Sequence, residues 1–246
     1  MKNKKARDTQ GLFVAEGVKL VSEAPKEAVV QVLVSKSFAA AHAGLEEQFL
    51  PGTEVCLAED GRFASVSDTR SPQGILAVVR QIAFSKERIF GTVAPFILLL
   101  EDLQDPGNAG TILRTGEAAG VNAVFLTEGS VDLYSPKTTR ATMGSIYRVP
   151  HFYVPDAAEL LRECERRGIA SYAAHLRGTK TYTDCGYRRG TAFVIGNEGN
   201  GITEETASAC RELIRIPMMG QVESLNAAMA AGILMFEASR QRRTIS

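Results

Sequence analysis

The chain has 246 residues, of which 45% are hydrophobic and 23% are charged, a composition typical of globular proteins with one large domain or two smaller ones. Its formal net charge is zero, which argues against a protein that coats nucleic acid over its whole surface but allows a local basic patch. No apolar run reaches the roughly 20 residues of a membrane-spanning helix, and the N-terminus lacks the apolar core of a secretory signal. We therefore expect a cytoplasmic protein without a membrane segment.

The cysteines give no sign of a metal site. Cys56, Cys164, Cys185 and Cys210 are too widely spaced for a C-x-x-C pair, and the three histidines do not cluster with them. This pattern predicts free thiols in a reducing compartment and no bound metal.

Residues 1–85 are predicted to form a small α/β domain. Apolar residues recur at helical spacing over residues 11–24, which predicts a helix that Gly17 weakens. The β-branched stretch at 28–35 predicts a strand, and so does the apolar stretch after the Pro-Gly turn within 71–84.

Residues 86–94 are predicted to be a linker, and residues 95–246 a second domain. Strand, loop and helix patterns alternate there, which predicts an α/β fold with a mainly parallel sheet. Asn108 is predicted to cap the first helix of this domain. The predicted strands lie within 95–102, 122–127, 169–175, 191–196 and 212–217, and the predicted helices within 106–120, 156–168 and 224–241.

Three polar, glycine-containing loops each follow an apolar strand. They are "EDLQDPGNAGTILR" at 101–114, "GNEGNGI" at 196–202 and "IPMMGQVESLN" at 216–226. Ligands bind beyond the carboxyl ends of the strands in parallel α/β sheets. We therefore expect the three loops to form one site.

The second loop differs from the known phosphate-binding loops. A P-loop has Lys and Ser or Thr after its last glycine, whereas Ile202 and Thr203 follow Gly201 here. The glycine order G-x-x-G-x-G is not the dinucleotide fingerprint, and Glu198 would repel a phosphate. The loop alone is compatible with a plain surface turn or with a ligand without phosphate, such as the nucleoside sulfonium S-adenosylmethionine.

Taken together, the loops resemble the three signature motifs of the SpoU-type RNA ribose methyltransferases of the SPOUT class. The motifs are "DPGNAGTILR", "VIGNEGNGI" and "IPMMGQVESLNAAMAAGI", and the resemblance covers most of residues 95–241. The N-terminal half resembles the L30e-like substrate-binding domain of this family through "FVAEGVKLV" and "SPQGILAVV". By comparison with that family, we expect the first helix to be short or absent.

The resemblance implies a trefoil-knotted SPOUT domain that works as a homodimer and binds S-adenosylmethionine in the knot. It also implies methyl transfer to a ribose 2′-hydroxyl of RNA. The cofactor contacts that it implies are Gly196, Glu198, Gly199, Ile216, Met218, Ser224, Leu225 and Asn226. The residues that it implies around the reacting atoms are Asn108, Arg114, Glu198, Ser224 and Asn226.

Two assignments of the hydroxyl proton stay open. Family proposals make the arginine at the position of Arg114 the base, with help from an RNA phosphate. A charged guanidinium accepts no hydrogen bond, so holding a phosphate is the physically simpler role. Glu198 is the alternative, as an orienting or a proton-accepting group.

Two groups of cationic side chains are compatible with RNA contact or with ordinary solvated surface. One group lies at the N-terminus and the other follows the second predicted strand of the SPOUT-like part, where contact with the other subunit is a further possibility. They are Lys2, Lys4, Lys5 and Arg7, and then Lys137 and Arg140.

Two other functions agree less well with these residues. A nucleotide-dependent oxidoreductase or kinase on an ordinary doubly wound sheet conflicts with the fingerprints above. A non-catalytic RNA-binding relative conflicts with the presence of Arg114, Glu198, Ser224 and Asn226. The separate L30e-like domain favours ribosomal RNA over transfer RNA as the substrate.

Overall fold

The computed structural model describes residues 3–243, without the side chain of Glu46. The strands are β1 (Leu12–Glu16), β2 (Val29–Ser35), β3 (Glu54–Ala58), β4 (Ile75–Arg80), β5 (Phe96–Leu100), β6 (Ala123–Thr127), β7 (His151–Val154), β8 (Ala170–Ala174), β9 (Lys180–Thr181), β10 (Thr191–Ile195) and β11 (Glu212–Arg215). The helices are α1 (Lys4–Gln10), α2 (Val18–Glu23), α3 (Lys36–Ala41), α4 (Asp60–Val66), α5 (Lys86–Phe90), α6 (Pro106–Ala119), α7 (Pro136–Thr142), α8 (Ala157–Arg166), α9 (Glu204–Ala209) and α10 (Ala227–Arg242).

The described chain forms two compact units. The first contains residues up to 83 together with residues 132–147, and the second contains residues 84–131 and the chain from 148 onward. The sequence prediction assigned 132–147 to the second domain and ended the first at residue 85. Buried aromatic packing explains the difference, because the Tyr134 and Tyr147 rings lie 4.9 and 6.1 Å from the ring of Phe13 in the first unit.

In the described residues, the first unit has a four-stranded sheet of order β1-β4-β2-β3. The predicted strands at 28–35 and 71–84 are confirmed as β2 and β4. The helix predicted over 11–24 is wrong, because the segment is a strand followed by a helix. Gly17 separates the two with a φ of 101°, and Phe13 and Ala15 are buried at the alternating spacing of a strand.

Two further details of the predictions are settled by the backbone. The first helix, α1, is present and short, with seven residues. Residues 86–94 are not a plain linker, because α5 begins there after Ser85, whose hydroxyl caps it by accepting a hydrogen bond from the Arg88 N–H. Lys2 of the predicted N-terminal basic cluster lies outside the described residues.

The second unit has a sheet of order β7-β6-β5-β10-β8-β11-β9 in the described part of the chain, and every pairing in it is parallel. Every residue of β5, β6 and β10 is buried. Strands that are apolar on both faces are typical of a parallel sheet covered on both sides. The predicted α/β fold is confirmed.

The helix after β5 begins differently from the prediction. Asp105, and not Asn108, caps α6, since its carboxylate accepts a hydrogen bond from the Asn108 N–H at 2.8 Å. Pro106 follows at the first helical position, where no backbone N–H is needed. The side chain of Asn108 is thereby left for another use.

The long closing helix α10 is confirmed and packs on α6. A Cβ added at Gly116 of α6 would meet the Met235 sulfur of α10 at 3.7 Å, which shows how close the two helices lie. Over residues 3–243, none of the helices combines the length and apolar character that crossing a membrane requires.

Candidate active site

The three predicted loops emerge from the same edge of the seven-stranded sheet. β5 and β10 are parallel neighbours with Leu100 opposite Ile195, so the first two loops leave the sheet side by side. β11, which leads into the third loop, lies two strands from β10, on the far side of β8. The prediction that these loops share one end of the sheet is confirmed.

The second loop folds tightly onto itself. The backbone of Asn197 and Gly201 exchanges hydrogen bonds of 2.9 and 3.0 Å, and the Asn197 side chain accepts from the N–H groups of Gly199 and Asn200. A Cβ at Gly196 would lie 2.2 Å from the Gly201 carbonyl carbon. Position 196 must therefore be glycine because the loop folds back and brings Gly201 against it. The sequence analysis had instead interpreted these glycines as making room for a ligand.

The carboxylate of Glu198 joins the second loop to the first. It accepts hydrogen bonds from the backbone N–H groups of Gln104 at 3.0 Å and Asp105 at 2.9 Å, and from the Asn108 amide at 3.0 Å. Burial raises the pKa of Glu198, but the hydrogen bonds from Asn108, Gln104 and Asp105 outweigh that effect and lower the pKa below the usual glutamate value. The carboxylate is thus ionised and already occupied by donors.

Asn226 extends this network to the third loop. Its carbonyl oxygen caps α10 by accepting from the N–H groups of Ala228 and Met229, at 2.9 and 3.3 Å. Its amide must then face away from the helix, where it donates to the Asn108 oxygen at 2.9 Å. Asn108 in turn has only its amide left for Glu198, so the chain of donors runs in one direction from Asn226 to Glu198.

The remaining predicted residues do not join this cluster. Arg114 and Ser224 are exposed and form no hydrogen bond or ion pair with the described residues. Arg114 lies about 9 Å along the α6 axis from Asn108 at the ordinary helical rise. Among the predicted cofactor contacts, Ile216, Met218 and Leu225 are half-buried and Gly199 is exposed.

The third loop leaves backbone groups open to a ligand. Between residues 217 and 224, none of the backbone N–H and C=O groups is hydrogen-bonded within the described chain. A stretch of free donors and acceptors flanked by the half-buried Ile216 and Leu225 suits an adenosine, which needs both polar backbone partners and apolar contact. The residues present therefore fit S-adenosylmethionine.

Glu101 is a site-supporting residue that the sequence analysis missed. Its buried carboxylate accepts from the Thr203 N–H and hydroxyl at 2.9 and 2.7 Å and from the Thr206 hydroxyl at 2.6 Å. It thus fixes the chain where it leaves the second loop. The sequence signal for this role was an acidic residue directly after an apolar strand. A carboxylate at such a buried position needs hydrogen-bond partners.

A cavity of about 290 Å³ lies between the first two loops, beside Asp102 and Asn200. None of the third-loop residues predicted to contact the cofactor lines it, including Ile216 and Leu225. We therefore do not assign this cavity to the cofactor.

Arg140 is not a solvated cation. Its guanidinium lies 2.9 Å from the Asp68 carboxylate and 3.6 Å from that of Glu16, all within the first unit. Glu16 is buried, and a buried carboxylate needs a cation or hydrogen-bond donors nearby. This need explains why the Arg140 side chain points toward Glu16. Lys137 is exposed and makes no ion pair with the described residues, so its contact with RNA or with the other subunit stays a prediction.

Comparisons with known proteins agree with this geometry. The model of the SpoU rRNA methylase family matches residues 95–236, and that of the MRM3-like substrate-binding domain matches residues 1–77. The Bacillus subtilis 23S rRNA (guanosine(2553)-2′-O)-methyltransferase RlmP is 32% identical over 95% of this chain and 90% of its own length.

Two solved structures are informative. The SpoU methyltransferase AviRb from Streptomyces viridochromogenes, in complex with the cofactor AdoMet, is 27% identical with a TM-score of 0.85, over 98% of this chain and 94% of that chain. A TrmH/SpoU tRNA modifying enzyme from A. aeolicus is 26% identical with a TM-score of 0.54, over 63% of this chain and 81% of that chain. With its three motifs gathered at one sheet edge and a family model covering most of the second unit, the chain belongs to the SpoU rRNA methylase family.

Proposed function

We propose that this protein transfers a methyl group from S-adenosylmethionine to a ribose 2′-hydroxyl of ribosomal RNA, as a homodimer. The observation that carries the proposal is the one-directional hydrogen-bond chain from Asn226 through Asn108 to Glu198, which joins all three motif loops. Such a chain fixes the loops before the substrates arrive, and positioning is a large part of what a methyl transfer requires.

The cofactor supplies an electrophilic methyl group on a sulfonium, which is a good leaving group. In this proposal the free backbone groups of residues 217–224 bind the adenosine, with Ile216, Met218 and Leu225 in apolar contact. Gly196 and Gly199 belong to the neighbouring loop, and Ser224 is the exposed hydroxyl nearest to the start of α10. The remaining tasks are to orient the RNA and to remove the hydroxyl proton.

Glu198 is assigned an orienting role. Its carboxylate accepts hydrogen bonds from three donors and its pKa is lowered, whereas an efficient general base has a pKa nearer the working pH. Arg114 is assigned to hold an RNA phosphate, because its exposed guanidinium has no partner among the described residues. The proton then passes to solvent or to a substrate phosphate oxygen.

Ribosomal RNA is favoured over transfer RNA by the N-terminal unit. The ribosomal RNA methyltransferase from B. subtilis aligns with 95% of this chain, whereas the tRNA modifying enzyme from A. aeolicus aligns with 63%, too little to include both units in full. A ribosomal RNA substrate supports a cytoplasmic location, and so do the four cysteines, none of which forms a disulfide in the described residues.

The homodimer is supported by an apolar stripe on α10. Met229 and Phe236 are 60% and 44% exposed, and Ile233 between them is half-exposed at helical spacing. Exposed apolar side chains that share one helix face are typical of an interface. Sedimentation of the wild-type protein and of Phe236→Glu tests this, with a monomeric wild type contradicting the proposal.

The activity is tested with labelled S-adenosylmethionine and total RNA from cells that lack this gene, separated by size. We expect alkali-resistant label in large ribosomal RNA, loss of label with Arg114→Ala, and full label with Arg166→Ala, whose guanidinium is paired with Glu159. Label in transfer RNA would overturn the substrate. Cofactor binding without label in free RNA or in assembled ribosomal particles would favour a non-catalytic RNA-binding protein.

A further inference from the structure

A second large cavity lies at the opposite edge of the seven-stranded sheet from the motif loops. Its volume is about 1120 Å³. It is lined by the segments that precede β5, β8, β10 and β11, and by the end of α10. Since all these strands are parallel, this is the amino edge of the sheet, about 16 Å from the carboxyl edge for a five-residue strand.

The lining of this cavity is strongly cationic. No Asp or Glu lines it, and only Arg240 has a carboxylate partner, Glu237, among the described residues. We call it the arginine cavity. Its arginines are Arg188, Arg189, Arg211, Arg240, Arg242 and Arg243.

Arg242 anchors the arginine cavity without neutralising its charge. The half-buried guanidinium donates to the backbone carbonyls of Tyr187, Ala94 and Arg189 at 2.7, 2.9 and 2.6 Å, and lies 4.7 Å from the centre of the Phe96 ring. Neutral carbonyls satisfy its donors but leave its positive charge in place. The cation is therefore built into the fold and faces no acid.

The arginines of α8 and its C-terminal end, in the same unit, are paired with carboxylates. On the surface of α8 and just after it, Arg162 and Arg166 lie 3.3 and 3.2 Å from the Glu159 carboxylate, and Arg167 lies 2.8 Å from that of Glu163. Arg114 is also unpaired, but the amino edge gathers five arginines without a carboxylate partner among the described residues in one cavity, although the whole chain has a net charge of zero.

We infer that the arginine cavity binds the phosphate backbone of the substrate RNA at a stretch remote from the ribose that is methylated. The planar fork of arginine fits phosphate oxygens better than a point charge does. The four strand ends that border the cavity are neighbours in the sheet, so they span about 14 Å. That width suits several successive nucleotides rather than one free phosphate. The inference rests on the proposed RNA substrate.

The test compares two triple variants of the full-length protein with the same loss of charge. One is Arg188→Ala, Arg189→Ala and Arg211→Ala, and the control is Arg162→Ala, Arg166→Ala and Arg167→Ala. Arg242 is left in place because it satisfies backbone carbonyls. The probe is a transcript of large-subunit ribosomal RNA. Its affinity for each protein is measured between about 0.05 and 0.3 M salt, a range in which phosphate contacts make binding strongly salt-dependent.

For the cavity variant we expect RNA affinity to fall about 50-fold at 0.15 M salt if all three contacts are to phosphates, with a salt slope reduced by about 2. Affinity for S-adenosylmethionine and kcat at saturating RNA should stay unchanged, and the control should lose less than about threefold. Arg→Lys changes at the same three positions should restore most of the salt slope.

RNA affinity and salt slope of the cavity variant equal to those of the wild-type protein would overturn the inference and leave the cavity to an acidic protein partner. That result is distinguishable from failure of the proposed function, because the wild-type protein would still methylate the RNA. Equal losses in both triple variants would also overturn it, since any loss of cationic charge would then suffice.

Discussion

Replacing Glu198 with glutamine separates an orienting carboxylate from a catalytic base. The wild-type carboxylate accepts three hydrogen bonds, two on one oxygen and one on the other. A glutamine oxygen can keep the bonds from Asp105 and Asn108, but its amide then faces the Gln104 N–H, which is also a donor. The variant thus loses one hydrogen bond to a charged group. It also places two donors, the new amide and the Gln104 N–H, against each other.

The magnitude follows from that count. A hydrogen bond to a charged group contributes about 1.5–3 kcal/mol, and solvent access to the exposed Glu198 reduces the loss to about 1–2 kcal/mol. If the loops must be ordered before the cofactor binds, the Kd for S-adenosylmethionine rises by about 5- to 30-fold. The kcat at saturating cofactor should fall by less than about tenfold, because the reacting groups are unchanged.

Calorimetry with S-adenosylmethionine and single-turnover methyl transfer measure the two quantities. If Glu198 were the base, kcat would fall by about 10²- to 10⁴-fold with little change in Kd, and the pH profile would lose its acid limb. That result would refute the orienting role. Because the folded pKa of Glu198 is lowered, its stabilising effect is present above the unfolded value of 4.5 and is lost as pH falls through the folded pKa. Cofactor binding should therefore not titrate with Glu198 near neutral pH.

Three more predictions concern other parts of the molecule. Arg114→Lys should keep most of the methyl transfer that Arg114→Ala loses, as measured by kcat/KM, and an equally deep loss would count against a simple phosphate clamp. Gly196→Ala should weaken cofactor binding by more than tenfold, because its Cβ would meet the Gly201 carbonyl carbon at 2.2 Å. Gly61→Ala is the matched control, because it lies in α4 outside the site and an added Cβ there would meet no atom within 4 Å. Arg7→Ala should lower Tm by about 10 °C, since it leaves the Asp132 carboxylate, whose side chain is 12% exposed, without its guanidinium; a shift below about 2 °C would contradict a stabilising pair.

The sequence by itself identified the chemistry of the site because that chemistry lies in short motifs. Apolar strands followed by polar loops predicted the parallel sheet and its ligand-binding edge, and the three motifs predicted the family. The apolar runs of β5, β6 and β10, which are buried on both faces, are the local pattern that predicted the parallel sheet.

Local patterns failed where partners distant in sequence decide the outcome. Residues 11–24 have helical spacing, yet β1 forms there because it pairs with β4, whose partner residues are 60 to 68 positions away. Tertiary packing also placed residues 132–147 with the first unit and turned Arg140 toward Glu16.

The tertiary structure alone decided which of the predicted site residues contact one another. The sequence named Asn108, Glu198 and Asn226 as one group with Arg114 and Ser224, but only the first three are hydrogen-bonded to one another. The arginine cavity was also invisible, because its cations come from strand ends and a helix end that are far apart in the chain. Motifs depend on order along the chain, and this is why the sequence determined the family. Hydrogen bonds and charge clusters depend on distances in space, and this is why only the fold determined the contacts of the site residues.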